Sequence, residues 1–160
     1  MRARLDAIDW KILKELQADG RMTNVELASR VGISAPPCLR RVRALEEAGV
    51  ITGYRALLDP ASVGYGVTFY AMVNLVSQAE TDLSAFRDFV DRHPLVRECA
   101  MLSGDVDFIL RCVATDLRAF QTFVAELTAA PSVKNVRTAL TLGETKTAAL
   151  VPTELPPPAG

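Results

Sequence analysis

The stretch Ser34-Ala35-Pro36-Pro37-Cys38-Leu39-Arg40-Arg41-Val42-Arg43-Ala44-Leu45-Glu46-Glu47 sets two adjacent prolines before three closely spaced arginines, with no acid until Glu46. Guanidinium groups so arranged could hold phosphates of a polyanion or hydrogen-bond guanine edges. A second stretch, Ser103-Gly104-Asp105-Val106-Asp107, puts two carboxylates on a tight turn. Exposed backbone N–H groups there could take the carboxylate of a zwitterion while an aspartate takes its ammonium. The plainer role of this turn is hairpin geometry, with Gly for positive φ and Asp for local backbone bonds.

Elsewhere the residues offer little chemistry. His93 is the sole histidine, precedes Pro94 at an expected helix end, and reads as a surface residue or C-terminal cap. No Ser/His/Asp or Cys/His pairing can be built without it. Gly143-Glu144-Thr145-Lys146-Thr147 lacks the leading glycine of a P-loop, and Gly64-Tyr65-Gly66 is no dinucleotide fingerprint. Cys38, Cys99 and Cys112 are widely spaced, form no Cys-x-x-Cys pair, and read as reduced, mostly buried thiols. An enzyme is therefore not expected, nor a cofactor or a metal.

Composition narrows the classes further. With 49% hydrophobic and 23% charged residues the chain of 160 reads as globular, in one domain or two small ones. No apolar run approaches the roughly 18 residues of a membrane helix, and Asp6 and Asp9 interrupt any signal-peptide core, so a cytoplasmic protein without a membrane partner is expected. The net charge of −1 hides an asymmetry. Residues 1–55 carry ten Lys/Arg against seven Asp/Glu, and residues 56–160 eight against twelve. A basic module joined to an acidic one follows, and the basic one is what a polyanion would meet.

Three short helices must position the arginines. Leu5, Ile8, Ile12, Leu13 and Leu16 recur at helical spacing, with Asp6 as cap and Gly20 as stop, which predicts a helix over Asp6 to Ala18. Thr23-Asn24-Val25-Glu26 reads as a capping box opening a helix that buries Val25, Leu27, Ala28 and Val31. Gly32 ends it in a left-handed turn, and Ser34 caps the next helix two residues later, a helix-turn-helix arrangement. Pro36 and Pro37 then fall in the first turn, where proline costs little. At 100° per residue, Leu39, Val42 and Leu45 share the docking face, with Cys38 near it. Pro36, Pro37, Arg40 and Ala44 lie opposite, with Arg41 and Arg43 on the flanks. This narrow ridge suits a major groove, whereas the bland alternative is a solvated face ion-paired to Glu46 and Glu47. Ser34 is equally open as a pure cap or a phosphate contact. Trp10 falls on the charged side of the first helix and reads as a partly buried contact.

Residues 50–58 are rich in β-formers and predict a hinge strand or small wing, broken at Asp59-Pro60. Beyond them the pattern predicts strand (67–77), helix (81–92), strand (96–103), strand (107–114), helix (116–129) and strand (133–142). The βαββαβ order implies a ferredoxin-like antiparallel sheet with both helices on one face, packed through Leu83, Phe86, Phe89 and Val90 and through Leu117, Phe120, Phe123 and Leu127. Strands apolar at nearly every position, including Tyr70 and Met72, predict a second copy on the other face. A two-fold dimer suits a palindromic duplex site.

The motifs "LDAIDWKILKELQADGRMTNVELASRVGIS", "PPCLRRVRALEEAGVITGYRALLDP", "LSGDVDFIL" and "VRTALTLGETK" resemble the Lrp/AsnC, or feast/famine, regulators, from about Leu5 to Lys146, and the helix-turn-helix resembles the leucine-responsive branch. The resemblance implies an α+β chain of a winged-helix-like DNA-binding domain (1–53), a β hinge (54–65) and a ferredoxin-like effector-binding and oligomerisation domain (66–150). The proline-rich tail (151–160) is expected to be disordered. Function follows as a transcriptional regulator of amino-acid metabolism or transport, built of dimers that gather into tetramers or octamers on a palindromic double-stranded operator. Recognition-helix contacts would map to Ser34, Pro36, Pro37, Arg40 and Arg41, beside the flanking Arg43. An amino-acid effector would lie between subunits against Gly104, Asp105, Val106 and Asp107, with Thr138 and Leu140 from the last strand. The rival readings are an amino-acid sensor that acts through protein contacts and an architectural DNA-binding protein without effector.

Overall fold

A computed structural model describes residues 4–148 and 151–153. It divides into two compact units, one running to Leu57 and including the segment from Lys146 onward, the other Leu58–Thr145. Among the described residues no helix is long and apolar enough to cross a membrane.

The first unit holds α1 (Ala7–Ala18), α2 (Asn24–Val31) and α3 (Ala35–Glu47) around Ile12, Leu27, Ala28, Val31, Cys38 and Leu45. Two N-termini differ from the sequence expectation. Thr23 Oγ1 accepts from the Glu26 N–H, but the Glu26 side chain turns to Arg30 at 2.6 Å, so only half of that capping box forms. The complete box is at α1, where Asp6 Oδ1 accepts from the N–H groups of Ile8 and Asp9 while Asp9 Oδ2 accepts from the Asp6 N–H. Gly32, at φ 80°, supplies the left-handed turn between α2 and α3. Asn24 Nδ2 bonds the Ala35 carbonyl at 2.8 Å and ties α2 to the start of α3.

Two apolar assignments are corrected. Val25 is 71% exposed because Leu27, Ala28 and Val31 already fill the inner face of α2. On α3 the docked face is Cys38, Val42 and Leu45, with Cys38 wholly buried, whereas Leu39 points outward at 39% exposure. The hinge strand is also absent. Among the described residues, 52–59 have no strand partner, and Tyr54, Leu57 and Leu58 are exposed; a strand needs a neighbour to pair its N–H and C=O groups. In the tail, Thr153 is buried, its hydroxyl donating to Gln17 Oε1 at 3.0 Å. Residues 154–160 lie outside the described residues.

The second unit is the expected βαββαβ fold: β1 (Val67–Leu75), α4 (Glu80–Arg92), β2 (Val96–Met101), β3 (Phe108–Ala114), α5 (Leu117–Ala129) and β4 (Val133–Leu140). The sheet is antiparallel in the order β2-β3-β1-β4. Phe69, Ala71, Val73 and Leu75 of β1, with Phe108, Leu110 and Cys112 of β3, face the helices and pack on Phe86, Phe123 and Leu127. Burial holds the Cys112 thiol up at about 12. Leu117, expected in the helix stripe, is instead exposed, because Ala119, Phe120, Phe123 and Leu127 complete the inner face of α5. The opposite face presents Tyr70, Met72 and Asn74 with Ile109 and Arg111. His93 caps α4, its Nδ1 2.7 Å from the Phe89 carbonyl and its ring stacked on Phe89.

Candidate nucleic-acid and effector surfaces

Helix α3 opens at Ser34, yet the Ser34 side chain makes no capping hydrogen bond. The cause is in the sequence. An N-cap hydroxyl accepts from the second or third helical N–H, and here those residues are Pro36 and Pro37, which have none. The prolines thus leave the exposed Ser34 hydroxyl without its usual local donor.

The three arginines divide into two roles. Arg41 Nη1 lies 2.8 Å from both Asp6 Oδ2 and Asp9 Oδ1, the carboxylate oxygens the α1 capping box leaves over. It is a strut between α3 and the start of α1. The hydrogen bond from the Asp9 N–H, and then Arg41, hold the Asp6 carboxyl below its ordinary value, while the two carboxylates raise the Arg41 guanidinium. Arg40 and Arg43 are exposed and make no ion pair among the described residues. Of the two acids expected to neutralise them, Glu46 accepts from the Tyr54 hydroxyl at 2.9 Å, and Glu47 makes no ion pair among the described residues. Pro36, Leu39, Arg40, Arg43, Ala44 and Glu47 together line a shallow depression along the outer side of α3.

In the second unit the β2–β3 turn is anchored from β1. Asp107 Oδ2 accepts from the Leu75 N–H at 2.8 Å, Asp107 Oδ1 from Gln78 Nε2 at 2.9 Å, and the Asp107 N–H donates to the Val73 carbonyl. Asn74 Nδ2 donates to the Asp105 carbonyl at 2.6 Å. Both Asp107 oxygens are therefore engaged, whereas the exposed Asp105 carboxylate has no partner among the described residues. The N–H groups of Gly104, Asp105 and Val106 likewise find no acceptor among the described residues, and Gly104 sits at φ 132°, which glycine adopts readily.

Thr138 and Leu140 are not brought to this turn within one chain. They pair with Ala71 and Phe69, while the turn bonds β1 at Val73. At about 3.3 Å per residue Leu140 lies roughly 13 Å farther along β1, on its other flank. The α1 capping box and the Arg41 strut were missed in the sequence, although the Asp-x-x-Asp spacing at Asp6 and Asp9 was a usable signal.

Comparison with known proteins gives these surfaces a context. Residues 5–52 match a winged helix-turn-helix DNA-binding family and residues 68–151 the Lrp/AsnC ligand-binding domain. The leucine-responsive regulatory protein of Rhizobium meliloti is 59% identical over 152 residues, covering 94% of this chain and 97% of that protein. Its Escherichia coli K12 counterpart is 40% identical, covering 89% and 87%. Among solved structures, a Neisseria meningitidis transcriptional regulator in complex with L-Met superposes with a TM-score of 0.90 at 38% identity, covering 94% and 98%. These relatives are regulators, not enzymes, and with near-complete coverage by them the chain belongs to the Lrp/AsnC family of DNA-binding transcriptional regulators.

Proposed function

We propose that this regulator controls genes of amino-acid metabolism or transport by laying α3 of two or more copies into a palindromic duplex, and that an amino acid bound at the β2–β3 turn modulates the assembly. The observation that carries the effector is the turn itself. Three successive N–H groups stand beside the Asp105 carboxylate, all without a partner among the described residues, a complement to the two ends of a zwitterion. The L-Met complex of the Neisseria regulator supports the same ligand class. Asp107 serves by holding the turn, and Asp105 takes the ammonium. Thr138 and Leu140 join the site from another copy, since their own chain keeps them away from the turn.

On the DNA side, Arg40 and Arg43 supply charge, Ser34 a phosphate donor, Pro36 and Pro37 a rigid helix start, and Arg41 the alignment of α3. Dimerisation through the face carrying Tyr70 and Met72 puts two copies of α3 on one duplex, and further association to tetramers or octamers multiplies the contacts. A change in association then alters operator affinity by mass action.

The test is a thermal-shift panel of the twenty amino acids, followed by light scattering and operator titration with any that bind. A ligand at 100 times its Kd adds about 2.7 kcal/mol to the stability of the form it binds. The reading expects such a shift together with a change in assembly size or operator affinity. Binding without either change refutes the coupling.

A further inference from the structure

Leu39 is the side chain of α3 whose place the sequence misjudged. It lies on the outer surface of the helix between Pro36 and Arg43, at helical spacings of three and four, and next to Arg40. Neighbours at these spacings have Cβ atoms about 5–6 Å apart, comparable to one or two base-pair steps. Around Leu39 the small or apolar Pro36 and Ala44 alternate with the cationic Arg40 and Arg43, and the Glu47 side chain lines the same depression. Among the described residues neither arginine is neutralised by an ion pair. An apolar patch edged by free guanidinium groups is complementary to a major groove, whose walls are phosphates and whose floor carries one apolar group, the C5-methyl of thymine.

We infer that Leu39, supported by Pro36, reads a thymine methyl group in each half of the duplex site, so that α3 recognises thymine by apolar contact beside what Arg40 reads by hydrogen bonding. This rests on the proposed docking of α3 in the major groove. It adds a base preference that the arginines alone do not supply. With Arg41 engaged by Asp6 and Asp9, Leu39 is the exposed large apolar side chain at the edge of this outward surface.

The experiment uses the full chain and a duplex that it selects from a randomised pool, in which each thymine is replaced in turn by deoxyuridine, removing only the methyl. The wild-type chain is expected to lose about four-fold in affinity at one thymine per half-site, the equivalent of one buried methyl group. Leu39→Ala is expected to bind the thymine and uracil duplexes equally, and Leu39→Met, which keeps an apolar contact, to restore part of the difference. The melting temperature of each variant is measured alongside, and Leu39→Met keeps the test valid should Leu39→Ala fold poorly. A wild-type chain indifferent to every thymine-to-uracil change, or a Leu39→Ala variant as sensitive as wild type, overturns the inference while leaving salt-dependent docking of α3 intact. Unaltered discrimination accompanied by weaker self-association of Leu39→Ala assigns the patch to a second copy of the chain and also overturns it. Failure to select any duplex at low salt refutes the docking itself, and the inference with it.

Discussion

Replacing Asp107 by Ala removes both acceptors that fasten the β2–β3 turn to the end of β1. The exposed bond to Gln78 contributes little, but the N–H of Leu75, whose residue is only 5% exposed, is left without an acceptor. An unpaired buried donor costs about 1–3 kcal/mol. In a chain of this length each kcal/mol moves the melting temperature by about 2–4 °C, so Asp107→Ala is expected to melt roughly 2–12 °C below wild type. Asp107→Asn keeps one carbonyl acceptor for Leu75 and should recover at least half of the loss. Asp105→Ala, whose carboxylate is free and exposed, should melt as wild type does while losing the stabilisation an amino acid confers. Circular-dichroism melts of the three variants, with and without ligand, make the comparison. If Asp107→Ala melted within about 1 °C of wild type, the anchoring role would be refuted. If Asp105→Ala kept the full ligand shift, the ammonium would have to lie elsewhere.

Two further expectations concern the first unit. Thr23→Ala should cost about 1 kcal/mol by urea unfolding because its hydroxyl caps α2, whereas Ser34→Ala should change stability by less than about 0.5 kcal/mol, since Pro36 and Pro37 leave it nothing to cap; equal losses would contradict this account. Asp6 has a folded carboxyl held below its ordinary value of 3.8, so its contribution is fully present above that value and lost as pH falls through the lowered one. Unfolding at about pH 5 and about pH 3 should therefore show a smaller acid loss for Arg41→Ala than for wild type, and equal losses would remove the strut from the explanation.

Most of the fold was legible in the sequence because local signals agreed with the tertiary outcome. The Thr23 and Asp6 caps, Gly32 and the two βαβ patterns fixed the element order and placed their ends within a few residues of those observed. On α3 the spacing itself held the answer: Cys38 lies between Val42 and Leu45 on a helical wheel and Leu39 about 60° beyond Val42, so Cys38 belongs to the docked face and Leu39 to its edge. The other errors arose where the answer depended on what lies opposite. Arg41 reads as a free cation because Asp6 and Asp9 lie more than thirty residues earlier. Asp105 and Asp107 look equivalent until β1 claims the second one. The β-rich segment after α3 has the composition of a strand but no partner among the described residues, and composition does not supply one.

The central claim is that the outer side of α3 meets duplex phosphates or bases through Arg40 and Arg43. Its most direct measurement is the salt dependence of operator binding by the full chain and by the double variant Arg40→Ala/Arg43→Ala, followed by fluorescence anisotropy. The account predicts weaker binding and a slope of log K against log salt shallower by about one unit for each arginine that had held a phosphate, with relaxed specificity for any that had read a base. A double variant with the affinity, salt slope and sequence preference of the wild type would contradict it.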